Sequence, residues 1–226
     1  MFKKLQALFA PRDLTRGNVM AGIVMFAIPL LIGNLAQQMY NTVDAIVVGQ
    51  YVGDAALGAV GLGGAVLNLI LVLFMGISTG ASILSAQYFG AKDRPTLNRT
   101  VGASLFLIVI SGLIMMAAGY FLSPILIGIT NPASELIGRY ATEYLQIYFL
   151  GIVGCSMYNI LAGILRGLGD SMMPLLFLVV ACVLNIILDL AFVNQMGVAG
   201  VALATVIAQG VSAVLCVGYM LKKYEM

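Results

Sequence analysis

Residues 101–122 read VGASLFLIVISGLIMMAAGYFL, a run with no charge, no amide and no proline. A helix needs roughly 20 apolar residues to cross the hydrocarbon core of a bilayer. Lipid offers a peptide group no hydrogen-bond partner, so such a run closes its own bonds as a helix. Working outward, five more apolar stretches separate at turn signals, at about 20–50, 56–87, 136–165, 174–193 and 197–221. The whole chain agrees: of 226 residues 62% are hydrophobic and 9% charged, and the mean hydropathy is +1.06. The sequence therefore predicts an all-α polytopic membrane protein, six transmembrane helices in one bundle at residues 19–226. Residues 1–18 form a cytoplasmic interfacial segment, in which Lys3 and Lys4 alternate with Phe2, Leu5, Leu8 and Phe9. The apolar run that begins near Val19 is too long for a signal-peptide core and lacks a small-x-small cleavage site.

Charge placement predicts the orientation. One set of connections and ends carries Lys3, Lys4, Arg12, Arg16, Lys92, Arg94, Arg99, Arg166, Lys222 and Lys223, and the opposite side carries only Arg139. By the positive-inside rule both termini are cytoplasmic. Five prolines, Pro11, Pro95, Pro124, Pro132 and Pro174, are expected in connections or at helix starts, where a missing N–H costs little. Pro29, inside a span, is expected to kink the first helix or leave a carbonyl unpaired.

Composition also removes whole classes of function. The chain contains no His, so His-dependent zinc sites, His general bases and Ser-His-Asp triads are excluded. A net charge of +2 is too small for a broad basic nucleic-acid surface. Cys155, Cys182 and Cys216 stand singly among apolar residues and read as small hydrophobes rather than metal or redox pairs. RGLGDS lacks the strand and the lysine of a phosphate loop. Two carboxylates without His or a Ser-Lys pair give no obvious nucleophile, so the chain is not read as an enzyme, and no resident cofactor or metal is expected.

The polar residues inside the spans point instead to transport. Asn34, Gln37, Gln38, Asn41 and Asp44 fall within an arc of about 120° on the first helix. Such a face turns to a bundle interior or a wet cavity, either as glue between helices or as a functional lining. A carboxylate in an apolar helix is costly enough to favour function for Asp44. Asn185 and Asp189 lie one turn apart on the fifth helix, and Asp189 is expected about five residues before a break at Asn194. At 1.5 Å per residue the two carboxylates then lie at similar depth, roughly 8 and 10 Å below the outer surface. Thr205, Gln209 and Ser212 share a face of the sixth helix, a pattern that more often serves helix packing. Arg139, Tyr140 and Glu143 suit an outer interfacial belt, with Tyr144 or Tyr148 able to line a cavity.

Four blocks together resemble the amino-terminal half of the multidrug and toxic compound extrusion (MATE) transporters: FAIPLLIGNLAQQMYNTVDAIVVGQYVGDAALGAVG, STGASILSAQYFGAKD, ILRGLGDSMMP and LNIILDLAFVNQMGVAGVALATVIAQ. The resemblance implies export of small organic cations or other amphipathic compounds, driven by proton or sodium entry, by alternating access between two six-helix lobes. It implies cation coupling at Asp44, Asp189 and Asn185, a kinkable Pro29, and a bacterial or archaeal plasma (inner) membrane. Asn34, Gln37, Gln38, Asn41, Thr205 and Gln209 are the expected substrate-cavity residues. Family members generally carry about twelve helices, so a half-size antiporter lobe paired with a second copy or a homologous lobe is expected. The alternatives are a flippase for a lipid-linked saccharide, or a non-transporting interaction subunit or fragment.

Overall fold

Turn chemistry divides the chain where the apolar runs stop. The computed structural model describes residues 19–224, and the expected interfacial segment at 1–18 lies outside them. Helix α1 (Val19–Tyr51) ends at Gly53, whose φ of 107° is open to glycine and strained for other residues. Helix α2 (Asp54–Gly90) leads through a tight turn to α3 (Arg94–Ile129), which is capped by Asp93 accepting from Thr96 N at 3.2 Å. These Thr96 hydrogen bonds hold the Asp93 carboxyl below its ordinary range. Ser134 caps α4 (Glu135–Leu150), and Gly151 joins it to α5 (Ile152–Gly167). Helices α6 (Met172–Met196) and α7 (Val198–Tyr224) meet at Gly197, with φ 57°.

Five of these helices are long and apolar enough to span a membrane, and the α4–α5 pair makes a sixth crossing bent by 57°. The expected single helix at 136–165 is thus two half-length rods. The reason lies at Gly151: a Cβ there would come within 2.0 Å of Val206 Cγ1, so α7 crosses against bare backbone. The broken span is central. It packs on α2, α3 and α7, and most of α5 from Ile152 to Leu165 is buried. Helix α1 leans chiefly on α6, at the edge of the bundle. Large apolar side chains cover the outside, Leu69, Phe106, Phe121 and Ile129 among them. A surface of this kind belongs in lipid, and the protein is an integral multi-pass membrane protein.

Two further expectations are corrected by helix length. α3 runs two turns beyond residue 122, so Pro124 lies inside a helix rather than in a connection. Its missing N–H strands the carbonyl of Tyr120, and Gln146 of α4 donates to that carbonyl at 3.4 Å. Likewise α6 does not break at Asn194 but continues to Met196. At the end of the bundle that holds the α5–α6 turn, Asp170 accepts from Met173 N (3.2 Å), Tyr219 Oη (2.6 Å) and Lys223 Nζ (2.9 Å), tying that turn to the end of α7. At the other end, the α1–α2 turn and Gly197 approach each other, with Val52 Cγ1 3.8 Å from where a Gly197 Cβ would stand.

Candidate functional site

Asp44 and Asp189 each stand seven residues before their helix ends, at Tyr51 and Met196. The full length of α6 therefore puts both about 10 Å from the same end at 1.5 Å per residue. They meet where α1, α6 and α7 converge. Asp189 is 0% exposed and Asp44 6%, so neither reaches for solvent. Their carboxyl groups are close enough to share a hydrogen bond once a proton is supplied, since two carboxylates hold only acceptors.

Thr205 of α7 stitches the cluster together. Its Oγ1 lies 3.3 Å from Asp44 Oδ2 and 3.1 Å from the carbonyl of Val201, and Asn185 Nδ2 donates to it at 3.3 Å. One hydroxyl proton serves one of its two acceptors at a time. Asp44 Oδ1, both Asp189 oxygens, Asn185 Oδ1 and Gln209 Oε1 are buried without a hydrogen-bond partner. Every orphan is a hard oxygen acceptor. The chemistry of such a set suits a proton or an oxygen-loving cation, because buried anions and carbonyls left unpaired are costly. Among the described residues no three His, Cys, Asp or Glu side chains converge as a metal cluster. Beside the acids is a crevice lined by Tyr40, Cys182, Asn185, Thr205 and Gln209, too tight for a water molecule.

Of the residues singled out by sequence, the structure brings Asp44, Asn185, Asp189, Thr205 and Gln209 into one buried cluster. Asn34, Gln37, Gln38 and Asn41 lie apart from it, exposed on the outside of α1. Asn41 Nδ2 donates to Gln38 Oε1 at 3.3 Å, and the other amides of this face make no protein hydrogen bond among the described residues. Pro29 is buried in α1, about 22 Å along the axis from Asp44 at 1.5 Å per residue. Sequence reasoning missed Tyr40, one turn before Asp44 and buried beside it. The i−4 spacing from the acid was the available signal. Tyr144 and Tyr148 pack inside, with ring centroids 6.3 Å apart, and Tyr140 is half-buried nearer the start of α4.

Known proteins resemble this chain over nearly its whole length. YpnP of Bacillus subtilis, a probable multidrug resistance protein, is 33% identical over 93% of this chain and 47% of its own length. NorM of Thermotoga maritima, also a probable multidrug resistance protein, is 30% identical over 90% of the chain and 45% of its own. A solved MOP superfamily transporter from Pyrococcus furiosus superposes with a TM-score of 0.85 at 31% identity, covering 93% of this chain and 46% of that one. The chain thus spans about half the length of the curated relatives it matches. The MatE family model matches residues 29–191, a segment that runs from Pro29 through Asp44 to Asn185 and Asp189, and the chain belongs to the MatE family.

Proposed function

We propose that this chain is one lobe of a cation-coupled exporter of small organic cations or amphipathic compounds, a transporter and not an enzyme. The observation that carries this reading is the buried pair Asp44 and Asp189, surrounded by orphan oxygens. In this reading a proton or sodium ion enters from outside and loads the pair. Loading removes the repulsion between two buried carboxylates and frees the Thr205 hydroxyl to turn to Val201. α1 then loses a tie to α7, its packing changes about Pro29, and substrate affinity falls. Linkage makes the effect reciprocal, so bound substrate disfavours the ion, which is what antiport requires.

The exposed amides Asn34, Gln37, Gln38 and Asn41 support the second part of the proposal. A row of amides on a lipid-facing helix is unfavourable, and a second copy or a homologous lobe packed about an axis normal to the membrane encloses them in a shared cavity. The Lys and Arg asymmetry supports cytoplasmic termini, and the bacterial and archaeal relatives support a bacterial or archaeal plasma membrane.

Reconstituted vesicles test the coupling. Efflux of a fluorescent organic cation is followed under an imposed proton or sodium gradient, in an assembly that transports. Asp44→Asn is expected to abolish the gradient-dependent part, and full gradient-driven efflux in that variant would overturn the reading. Cysteine labelling at position 96 on a cysteine-free background tests orientation, with reactivity from the cytoplasmic side expected.

A further inference from the structure

A second cavity lies away from the acids. It is a wedge of about 600 Å³ between the last turns of α3 and the first turns of α4, at the end that carries Arg139 as its lone basic residue among the described residues. That volume is within the roughly 300–1,000 Å³ range of small-ligand sites. Pro124 and Pro132 form its apolar walls, and Glu135, Arg139, Tyr140 and Glu143 line the polar side. At its α4 side Gly138 sits directly against Pro132, where a Cβ would come within 3.1 Å of the proline Cγ. Gly128 on the α3 side has nothing within 4 Å of the place its Cβ would occupy.

The charges are ordered. Glu135, Arg139 and Glu143 follow at i, i+4 and i+8, one face of α4 with steps of about 6 Å. Spacing of this kind favours ion pairs within the helix, yet among the described residues none of the three makes one. The Tyr140 hydroxyl likewise has no protein hydrogen-bond partner among them. The wedge therefore offers one guanidinium fork flanked by two carboxylates, all exposed, beside a wall of lipid-facing side chains. Phe121, Ile125 and Ile129 of α3 and Leu150 of α4 are more than half exposed and lie on the helices that form it.

We propose that this wedge binds the head group of a zwitterionic aminophospholipid such as phosphatidylethanolamine. Arg139 takes the phosphate by paired N–H donation, and Glu135 or Glu143 takes the primary ammonium. The two-carbon bridge between phosphate and ammonium matches a spacing of about one helical turn. The acyl chains run down the apolar surface of α3. The flanking carboxylates disfavour an anionic head group, and a quaternary choline has no N–H to give them. The site depends on the membrane setting of the helices and not on ion coupling at Asp44, so either proposal can fail while the other stands.

Native mass spectrometry of the delipidated chain, titrated in detergent with phosphatidylethanolamine, phosphatidylglycerol or phosphatidylcholine, tests it. Phosphatidylethanolamine is expected to bind at least about tenfold more tightly than the other two. Arg139→Gln is expected to weaken it by about the same factor, and Glu135→Gln with Glu143→Gln to shift preference toward phosphatidylglycerol. Gly128→Phe fills the wedge without changing charge and is expected to weaken binding as well. Arg99→Gln, at the opposite end, is expected to leave binding unchanged. Circular dichroism on the same samples confirms that each variant folds. Equal binding of the three lipids, or undiminished phosphatidylethanolamine binding in folded Arg139→Gln and Gly128→Phe, would overturn the proposal.

Discussion

Helix α1 carries two polar regions that its sequence places in one arc, and the fold treats them oppositely. Asp44 is buried against α6 and α7, and Asn34, Gln37, Gln38 and Asn41 face outward. The difference arises at the edge of the arc. Asp44 lies beside the stripe that α1 buries, made by Gly33 against Leu175 and Leu178, Ala36 against Cys182, and Tyr40 and Val47. The amides lie farther round the helix. An arc of about 120° is a third of a helix's circumference, wide enough to have different neighbours at its two margins. The interior group is assembled from three helices of this chain, whereas the outer group leaves its amides exposed.

The largest expected effect falls on the buried region. Asp44→Asn or Asp189→Asn is expected to reduce the influence of the ion gradient on efflux by about 5- to 150-fold, the usual range of coupling between sites. Neutralising two of the exposed amides, as Asn34→Leu with Asn41→Leu, should leave that ratio near its original value. If the amide variant lost coupling and the Asp44 variant kept it, the two regions would have exchanged roles.

Thr205→Val sharpens the comparison from the side of α7. It leaves Asp44 Oδ2 and Asn185 Nδ2 without their shared partner, and lobe stability should fall by about 1–3 kcal/mol in a detergent unfolding series. Gln146→Leu provides a third kind of amide, one already engaged with Tyr120 O. Its loss is expected to lower stability by about 0.5–1.5 kcal/mol. Asn34→Leu and Asn41→Leu should change the stability of the isolated lobe by less than about 0.5 kcal/mol. Crosslinking between lobes should nevertheless decline about threefold for each interhelical amide bond lost.

Acid gives the smallest effect and separates buried from surface carboxylates. Hydrogen bonding depresses the Asp93 carboxyl in the folded chain, so its stabilisation is present above the unfolded value and is lost as pH falls through the folded one. Fraying of the first turn of α3 is therefore expected only below the ordinary carboxylate range. Hydrogen exchange at Thr96 measures it, and Asp93→Asn should flatten the pH response.

Much of this was legible in the chain because membrane helices carry their lengths in their composition. All six crossings follow from apolar runs, and Asn185 with Asp189 follows from an i, i+4 pair in one such run. The break at Gly151 was hidden, since the sequence around it is as apolar as a continuous helix. What makes it a break is Val206 pressing on it from α7, some 55 residues away along the chain. Pro124 was misplaced for a related reason. A proline reads locally as a helix stop, and the amide that satisfies its stranded carbonyl comes from another helix. Tyr40 went unremarked because its one sequence signal, the i−4 spacing from Asp44, is shared by many residues that only pack.

The helix lengths carry a consequence for how the lobe feels its bilayer. α2 and α3, with 37 and 36 residues, measure about 55 Å, against a hydrocarbon core of about 30 Å. Even tilted by about 40° they overreach the core by roughly 10 Å, so their hairpin has slack against changes of thickness. α6 has 25 residues and measures about 38 Å, close to the core itself. Thinning or thickening the membrane thus strains chiefly the helix that holds Asn185 and Asp189, and chain length of the surrounding lipid becomes a control on the proposed ion site.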